Sequence, residues 1–195
     1  MLAANERLVL PTVLSRCQKL ELGPLPAPVV EGVLSHRWGV PVAQARVLAR
    51  LSCGCLGWAV AAFSDEGLLS ERAERLAALH HLAGVGREER FAYAAQLANQ
   101  FSRDRESVQE VLSLWLGWWR DLMLVKGGCG NSITNVDQEA KLYDEAEGYR
   151  LREIKGFAES LQRAMEQLDQ NANPRLVLEV LMLAIPKGKE EAKTF

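Results

Sequence analysis

Apolar residues recur at helical spacing along most of this chain. Val29, Val30, Val33, Leu34 and Trp38 form a first stripe, which stops before Gly39 and Pro41. The spacing predicts a second short helix over Val42 to Leu51, a turn at Ser52-Cys53-Gly54-Cys55-Leu56-Gly57, and a third helix from Trp58 to Phe63. Asp65 is placed to cap a fourth, from Glu66 to Leu82, with Leu69, Ala73, Leu76 and Leu79 or His80 on one face. Gly84-Val85-Gly86 breaks it.

A second block follows the break. Arg87 to Phe101 is amphipathic through Phe91, Ala94, Ala95 and Ala98. Arg103 to Val125 carries the widest stripe, from Val108 through Trp115, Trp118 and Trp119 to Met123. Gly127-Gly128-Cys129-Gly130-Asn131 ends it, and Asn135-Val136-Asp137 starts a short helix. A long helix spans about Gly148 to Leu168. The last has Asn173 as N-cap and Pro174 at the first helical position. Its body, Leu176 to Leu183, is apolar on nearly every side, the pattern of a helix covered all round within its own domain or between subunits.

The first residues read differently. Leu8 to Leu14 is short and apolar, interrupted by Pro11, and looks like the β-like end of a larger α/β unit. Gly23-Pro24-Leu25-Pro26-Ala27-Pro28 is a connector. The expected fold class is therefore all-α: two helical bundles behind a short remnant.

Composition narrows the function classes. Of 195 residues, 48% are hydrophobic and 25% charged, which suits a globular chain. A net charge of −2 argues against a protein whose main task is coating nucleic acid, though it leaves room for local basic patches. No apolar run approaches the ~20 residues that span a bilayer, and Met1 to Arg7 lack the features of a signal peptide. A cytoplasmic location is the simplest expectation. Cys17, Cys53, Cys55 and Cys129 lack the paired spacing of a zinc module, so free thiols are expected and no metal.

Other residues have plain readings. His80 and His81 diverge by about 100° on a helix and do not share a metal. The tryptophans have helical spacing without interleaved arginines, which favours packing over base stacking. Arg120-Asp121 is either a polar contact or a solvated pair. Arg87, Glu88, Glu89 and Arg90 read as a solvated helix start. Gly54 and Gly57 are expected to allow tight helix approach.

The run Leu10-Pro11-Thr12-Val13-Leu14-Ser15-Arg16-Cys17-Gln18 resembles the Ser-Arg-Cys segment of bacterial DNA polymerase III clamp-loader subunits, which closes the family's AAA+ domain. Three further blocks follow in family order: Gly54-Cys55-Leu56-Gly57-Trp58-Ala59, then Trp118-Trp119-Arg120-Asp121-Leu122, then Asn171-Ala172-Asn173-Pro174-Arg175-Leu176-Val177-Leu178-Glu179. The resemblance implies an AAA+ remnant over residues 1–22, a helical lid over 23–85, an oligomerising collar over 86–186 and a flexible tail over 187–195.

The family's glycine-rich phosphate loop ending in Lys-Ser or Lys-Thr is missing, so the chain reads as a truncated subunit that does not hydrolyse ATP by itself. Gly57 stands where motor subunits carry a nucleotide-sensing arginine, which favours the delta-prime type. The resemblance makes Arg16 an arginine finger in trans, reaching ATP and Mg²⁺ held by a neighbouring subunit, with Ser15 and Cys17 holding its turn. Implied partners are the gamma/tau and delta subunits through the collar, and the sliding clamp and primer-template DNA through the complex. The remaining alternatives are a carboxy-terminal piece of the gamma/tau motor subunit and a generic helical adaptor.

Overall fold

Helical periodicity becomes helix almost throughout. The computed structural model describes residues 10–18, 20 and 22–187; among them it has ten α-helices, two short 3-10 turns and no strand. The protein is all-α. The helices are α1 (Pro11–Leu14), α2 (Ala27–Trp38), α3 (Val42–Leu51), α4 (Leu56–Ser64), α5 (Glu66–Gly84), α6 (Arg87–Phe101), α7 (Arg105–Lys126), α8 (Glu139–Gly148), α9 (Leu151–Asp169) and α10 (Pro174–Ala184). The expectations for Leu8-Val9 and for the tail beyond Lys187 lie outside the described residues. No helix among the described residues is long and apolar enough to cross a membrane.

The caps explain the boundaries. Pro11 opens α1 rather than interrupting a helix, because its missing N–H falls where no intrahelical partner exists. Asp65 accepts from Gly67 N at 2.9 Å and starts α5. Asp104 accepts from Ser107 N at 3.1 Å, which moves the start of α7 to Arg105. Asn173 accepts from the backbone N–H groups of Arg175 and Leu176 at 3.0 and 3.3 Å, with Pro174 behind it.

Two apolar cores form. The smaller joins Val30, Leu34, Val40, Ala45, Leu48, Ala49, Ala59 and Ala62 from α2 to α4, with Leu68 and Leu69 of α5 against it. Its entry turn depends on Gly54. The φ of Gly54 is +86°, and a Cβ there would lie 2.5 Å from the Leu25 carbonyl oxygen, so the connector can pack on this turn only against glycine. Gly57 faces open space, so the expected close approach there does not occur.

The larger core surrounds α7. Trp115, Trp118 and Trp119 are all buried, as their spacing predicted. Trp119 meets Phe157 edge-on at 4.8 Å and Tyr149 at 5.1 Å, and Trp115 stacks on Tyr93 at 5.9 Å. The Trp115 indole donates to Arg75 O and that of Trp118 to Glu145 Oε2, both at 3.0 Å. These hydrogen bonds satisfy the polar edges of Trp115 and Trp118, and the burial of each ring contributes on the order of 2–3 kcal/mol, whereas the buried Nε1 of Trp119 has no hydrogen-bond partner among the described residues. α5 serves both cores: its first turn packs on the small one, while Leu76, Leu79 and Leu82 enter the large one.

Arg90 departs from its reading as part of a solvated helix start. It is buried, and its guanidinium donates to four carbonyl oxygens: Leu82 at 2.8 Å, Ala83 at 3.1 Å, Ile185 at 3.0 Å and Met182 at 3.3 Å. Those oxygens belong to the ends of α5 and α10, where carbonyls lack intrahelical partners and the helix dipole is negative. One cation therefore joins two helix termini about a hundred residues apart in sequence.

Arg90→Ala strands these carbonyls and is expected to lower the unfolding free energy in urea by about 3 kcal/mol. Arg90→Lys recovers only part of the loss, because an ammonium lacks the planar fork. A change below about 1 kcal/mol would show that the guanidinium does not clamp the two helix ends.

Burial raises the Tyr149 hydroxyl to about 12, helped by the Glu145 carboxylate and opposed by Arg90. Both folded and unfolded chains keep this proton below pH ~10. Above that the unfolded chain releases it first, so stability falls from pH ~10 through about 12. Urea midpoints across this range should fall less steeply in Tyr149→Phe. Some decline persists there, because burial also raises Tyr93.

Candidate functional site

Two regions present chemistry outward. The first is the turn after α1. Ser15 closes the helix with its backbone N–H donating to Pro11 O, and its hydroxyl donates to Thr12 O at 3.2 Å. Arg16 N donates to Val13 O at 3.1 Å and Cys17 N to Leu14 O at 3.3 Å. The Cys17 thiol is free and exposed, so its visible contribution to the turn is through the backbone. Arg16 is exposed, and its guanidinium has no carboxylate partner among the described residues. The turn thus holds the backbone of Arg16 and leaves its cationic side chain exposed at the surface.

The second region is the outer side of α10. Val177, Leu178, Leu181 and Met182 face the core, while Leu176, Val180 and Leu183 are 60%, 67% and 51% exposed. Within its own chain the helix is covered on one side only, so of the two readings its pattern allowed, complete cover inside its own domain does not hold. An apolar stripe at i, i+4 and i+7 remains open, and the Arg175–Glu179 ion pair at 2.9 Å runs beside it. On α6, which packs against α10, Phe91 is also exposed.

Polar residues set the junction between the cores. Asp121 is fully buried, and its Oδ2 accepts from Thr134 N at 2.8 Å, Asn135 N at 2.8 Å and Asn135 Nδ2 at 2.7 Å. It is an anchor for the chain after α7, and Arg120 touches its other oxygen at 3.3 Å. Asn135 also accepts from Arg72, which pairs with Asp137 at 2.8 Å. From the small bundle, Arg50 Nη1 donates to Asn131 O at 3.1 Å and approaches Ile133 O at 3.5 Å. The loop after α7 is therefore held from both sides.

The sequence reading missed Arg90 and Arg50 as structural donors, and of Asp121 it gave only the contact with Arg120 and not the anchoring of the loop. Their partners are backbone groups distant along the chain, which no local pattern marks. The histidines behave as expected of neighbours on a helix: His80 is half-buried, with Nδ1 at 2.8 Å from Glu145 Oε1 and its ring edge-on to Trp118, while His81 is exposed. All four cysteines are free. Among the described residues no three His, Cys, Asp or Glu side chains gather in a way that would hold a metal ion.

Residues 66–187 match a family model described as DNA polymerase III, delta subunit, C terminal. The match takes in α5 to α10 and leaves the Ser-Arg-Cys turn and the α2–α4 bundle outside it. No curated protein and no solved structure matches the chain.

The open stripe on α10 should make the purified chain self-associate with rising concentration. Val180→Glu is expected to weaken that association in sedimentation velocity while changing stability by no more than about 0.5 kcal/mol, since the side chain touches little in the folded chain. Concentration-independent sedimentation of the unaltered protein would show that the stripe is not adhesive.

Proposed function

The chain belongs to the family defined by the carboxy-terminal region of the DNA polymerase III delta protein, a family of clamp-loader subunits, and from that premise we propose that it acts as the delta-prime-type member of the loader. The family match over α5 to α10 supports a clamp-loader subunit, and the resemblance at the Ser-Arg-Cys turn, which lies outside the match, is what favours the delta-prime type. In this reading α6 and α10 pack against sister subunits in a collar. Arg16 reaches ATP and Mg²⁺ held by a neighbour, and the assembled loader opens a sliding clamp and sets it on primed DNA.

The chemistry required of Arg16 is modest and well matched to a surface guanidinium. During phosphoryl transfer negative charge spreads over the γ-phosphate oxygens and the leaving group, and a planar cation can donate two hydrogen bonds there. The turn supports such a role through backbone hydrogen bonds that fix the Cα of Arg16 while the side chain extends into solvent. The chain itself takes no catalytic part beyond that contact, and it needs no bound cofactor. ATP and its metal belong to the neighbour.

Gly57 favours delta-prime over the motor subunit. It lies at the second residue of α4, exposed and without a side chain, where a motor subunit would carry an arginine directed at its own nucleotide. A carboxy-terminal part of the motor subunit is the second reading.

In a clamp loader reconstituted with this chain, Arg16→Ala should cut turnover at the neighbouring ATP site by on the order of 10³-fold or more while the ring still assembles. Arg16→Lys should restore little of it. Unchanged turnover in an intact ring would overturn the finger assignment.

A further inference from the structure

Cys53 and Cys55 are separated by a single residue, and both are free, exposed thiols on either side of a buried glycine. Cys17 and Cys129 are also free and exposed, but neither has another cysteine near it in the sequence. Two thiols held together along the chain have a reaction open to them that single thiols lack.

The backbone between α3 and α4 brings the pair together. Cys55 N donates to Ser52 O at 2.8 Å, closing a β-turn with Cys53 and Gly54 at its centre. Cys53 has φ +49° and Gly54 φ +86°, the sign pattern of a type I′ turn. A residue other than glycine in this left-handed region is uncommon, and the turn holds Cys53 there. Two Cα steps span about 7 Å when fully extended, and a turn shortens them into the window of roughly 4.4–6.8 Å that a disulfide accepts. Cys55 is the N-cap residue of α4, yet its side chain makes no capping hydrogen bond. A serine or an aspartate would serve the helix better there.

The glycine between the thiols is also where the connector is seated. Leu25 N donates to Gly54 O at 3.0 Å, and the space beside the Gly54 Cα is filled by Leu25 and Pro24. Any rotation of the peptide groups that flank Gly54 is therefore felt by the connector.

We propose that Cys53 and Cys55 are a redox-active dithiol, oxidised by low-molecular-weight disulfides such as oxidised glutathione to a Cys53–Cys55 disulfide that loosens the connector's seat on Gly54. One thiol of the pair, as thiolate, attacks a sulfur of the incoming disulfide, breaking its S–S bond and releasing one small thiolate. The second thiol gives its proton to solvent and attacks the protein sulfur of the mixed disulfide. The Cys53–Cys55 bond forms, the other small thiolate leaves, and the two small thiolates take up the two protons. Two protein thiols are oxidised and one small disulfide is reduced to two thiols. A ring spanning one residue is strained, so it closes under oxidising conditions and reopens readily with a reductant. As it closes, the peptide planes on both sides of Gly54 turn and the Gly54 carbonyl is drawn away from Leu25 N. The assignment concerns the small bundle and its connector, and it stands or falls separately from that of Arg16.

The test is tryptic mass mapping of the full chain, equilibrated with reduced and oxidised glutathione over a series of ratios and then alkylated. Cleavage after Arg50 and Arg72 leaves both cysteines in one peptide. As the buffer becomes more oxidising, that peptide should lose two hydrogens and both alkyl tags together, while Cys17 and Cys129 take single glutathione adducts. Cys53→Ser and Cys55→Ser should each leave one cysteine that carries an adduct and forms no ring; serine at the start of α4 is a good cap, so the second variant keeps the fold. Hydrogen exchange of the Leu25 amide should be about tenfold or more faster in the oxidised chain than in the reduced one, and insensitive to oxidant in Cys53→Ser. Separate glutathione adducts on Cys53 and Cys55 at every ratio would overturn the dithiol, as would a disulfide to a second chain in place of the ring. An unchanged Leu25 exchange rate in a chain that carries the ring would overturn the link to the connector.

Discussion

The orientation of α10 rests on one buried guanidinium. A helix apolar on most of its circumference has no strong preference of its own for which side to bury. Arg90 supplies that preference by gathering the last carbonyls of α5 and α10 into one set of hydrogen bonds. With its C-terminal end pinned there and its N-terminal end capped by Asn173, α10 has little freedom to roll. Val177, Leu178, Leu181 and Met182 are then committed inward, and Leu176, Val180 and Leu183 are left outside. The open stripe, which the assembly reading requires, follows from a polar contact in the interior. A cation there is tolerable because each donor meets a carbonyl and because two negative helix ends face it.

Local patterns carried the fold far. The stripe of α7, the cap at Asp65 and the Asn173-Pro174 start were legible because each depends on residues within one or two turns of one another. What lay beyond reach has a common physical origin. Arg90 sits in a run of charges that, taken locally, belongs in solvent; its partners at Met182 and Ile185 are over ninety residues away. Asp121 is adjacent to Arg120, which suggested a simple pair. Its main partners are instead the N–H groups of Thr134 and Asn135, brought back by the loop. Backbone acceptors and donors are present at every residue and carry no sequence signal. The Arg16 turn differs again: the residues that define it are visible in sequence, but the role proposed for it would depend on a phosphate held by another chain, and nothing in this chain's own packing encodes that.

The two cores are coupled at more than one point. α5 runs unbroken from one into the other, and α3 reaches across to the loop after α7 through Arg50. That loop is in turn fastened to α7 by Asp121 and to α5 by Arg72. A continuous helix alone would leave the small bundle able to bend about its axis. A second attachment, displaced from the helix and built of hydrogen bonds with defined directions, resists that bending. The α2–α3 hairpin is thereby held in a set orientation to the bundle that carries α10.

This coupling bears on how charge is divided: between Val33 and Ser64 the chain has Arg37, Arg46 and Arg50 and no aspartate or glutamate, whereas from Asp65 onward acidic side chains outnumber basic ones. If the small bundle were loosely tethered, its arginines could fold back onto the acidic surface of the larger one, and the opposite charges would neutralise each other. Attractive energy between unit charges falls with distance and is largely screened beyond about 8 Å at physiological salt. With the hairpin held in place through Arg50 and α5, neither Arg37 nor Arg46 pairs with a carboxylate among the described residues. A positive edge can then coexist with a net negative chain. The joint therefore bears on the charge as well as on the shape: by limiting how far the small bundle can turn, it limits the pairing of its arginines with the acidic surface of the larger one.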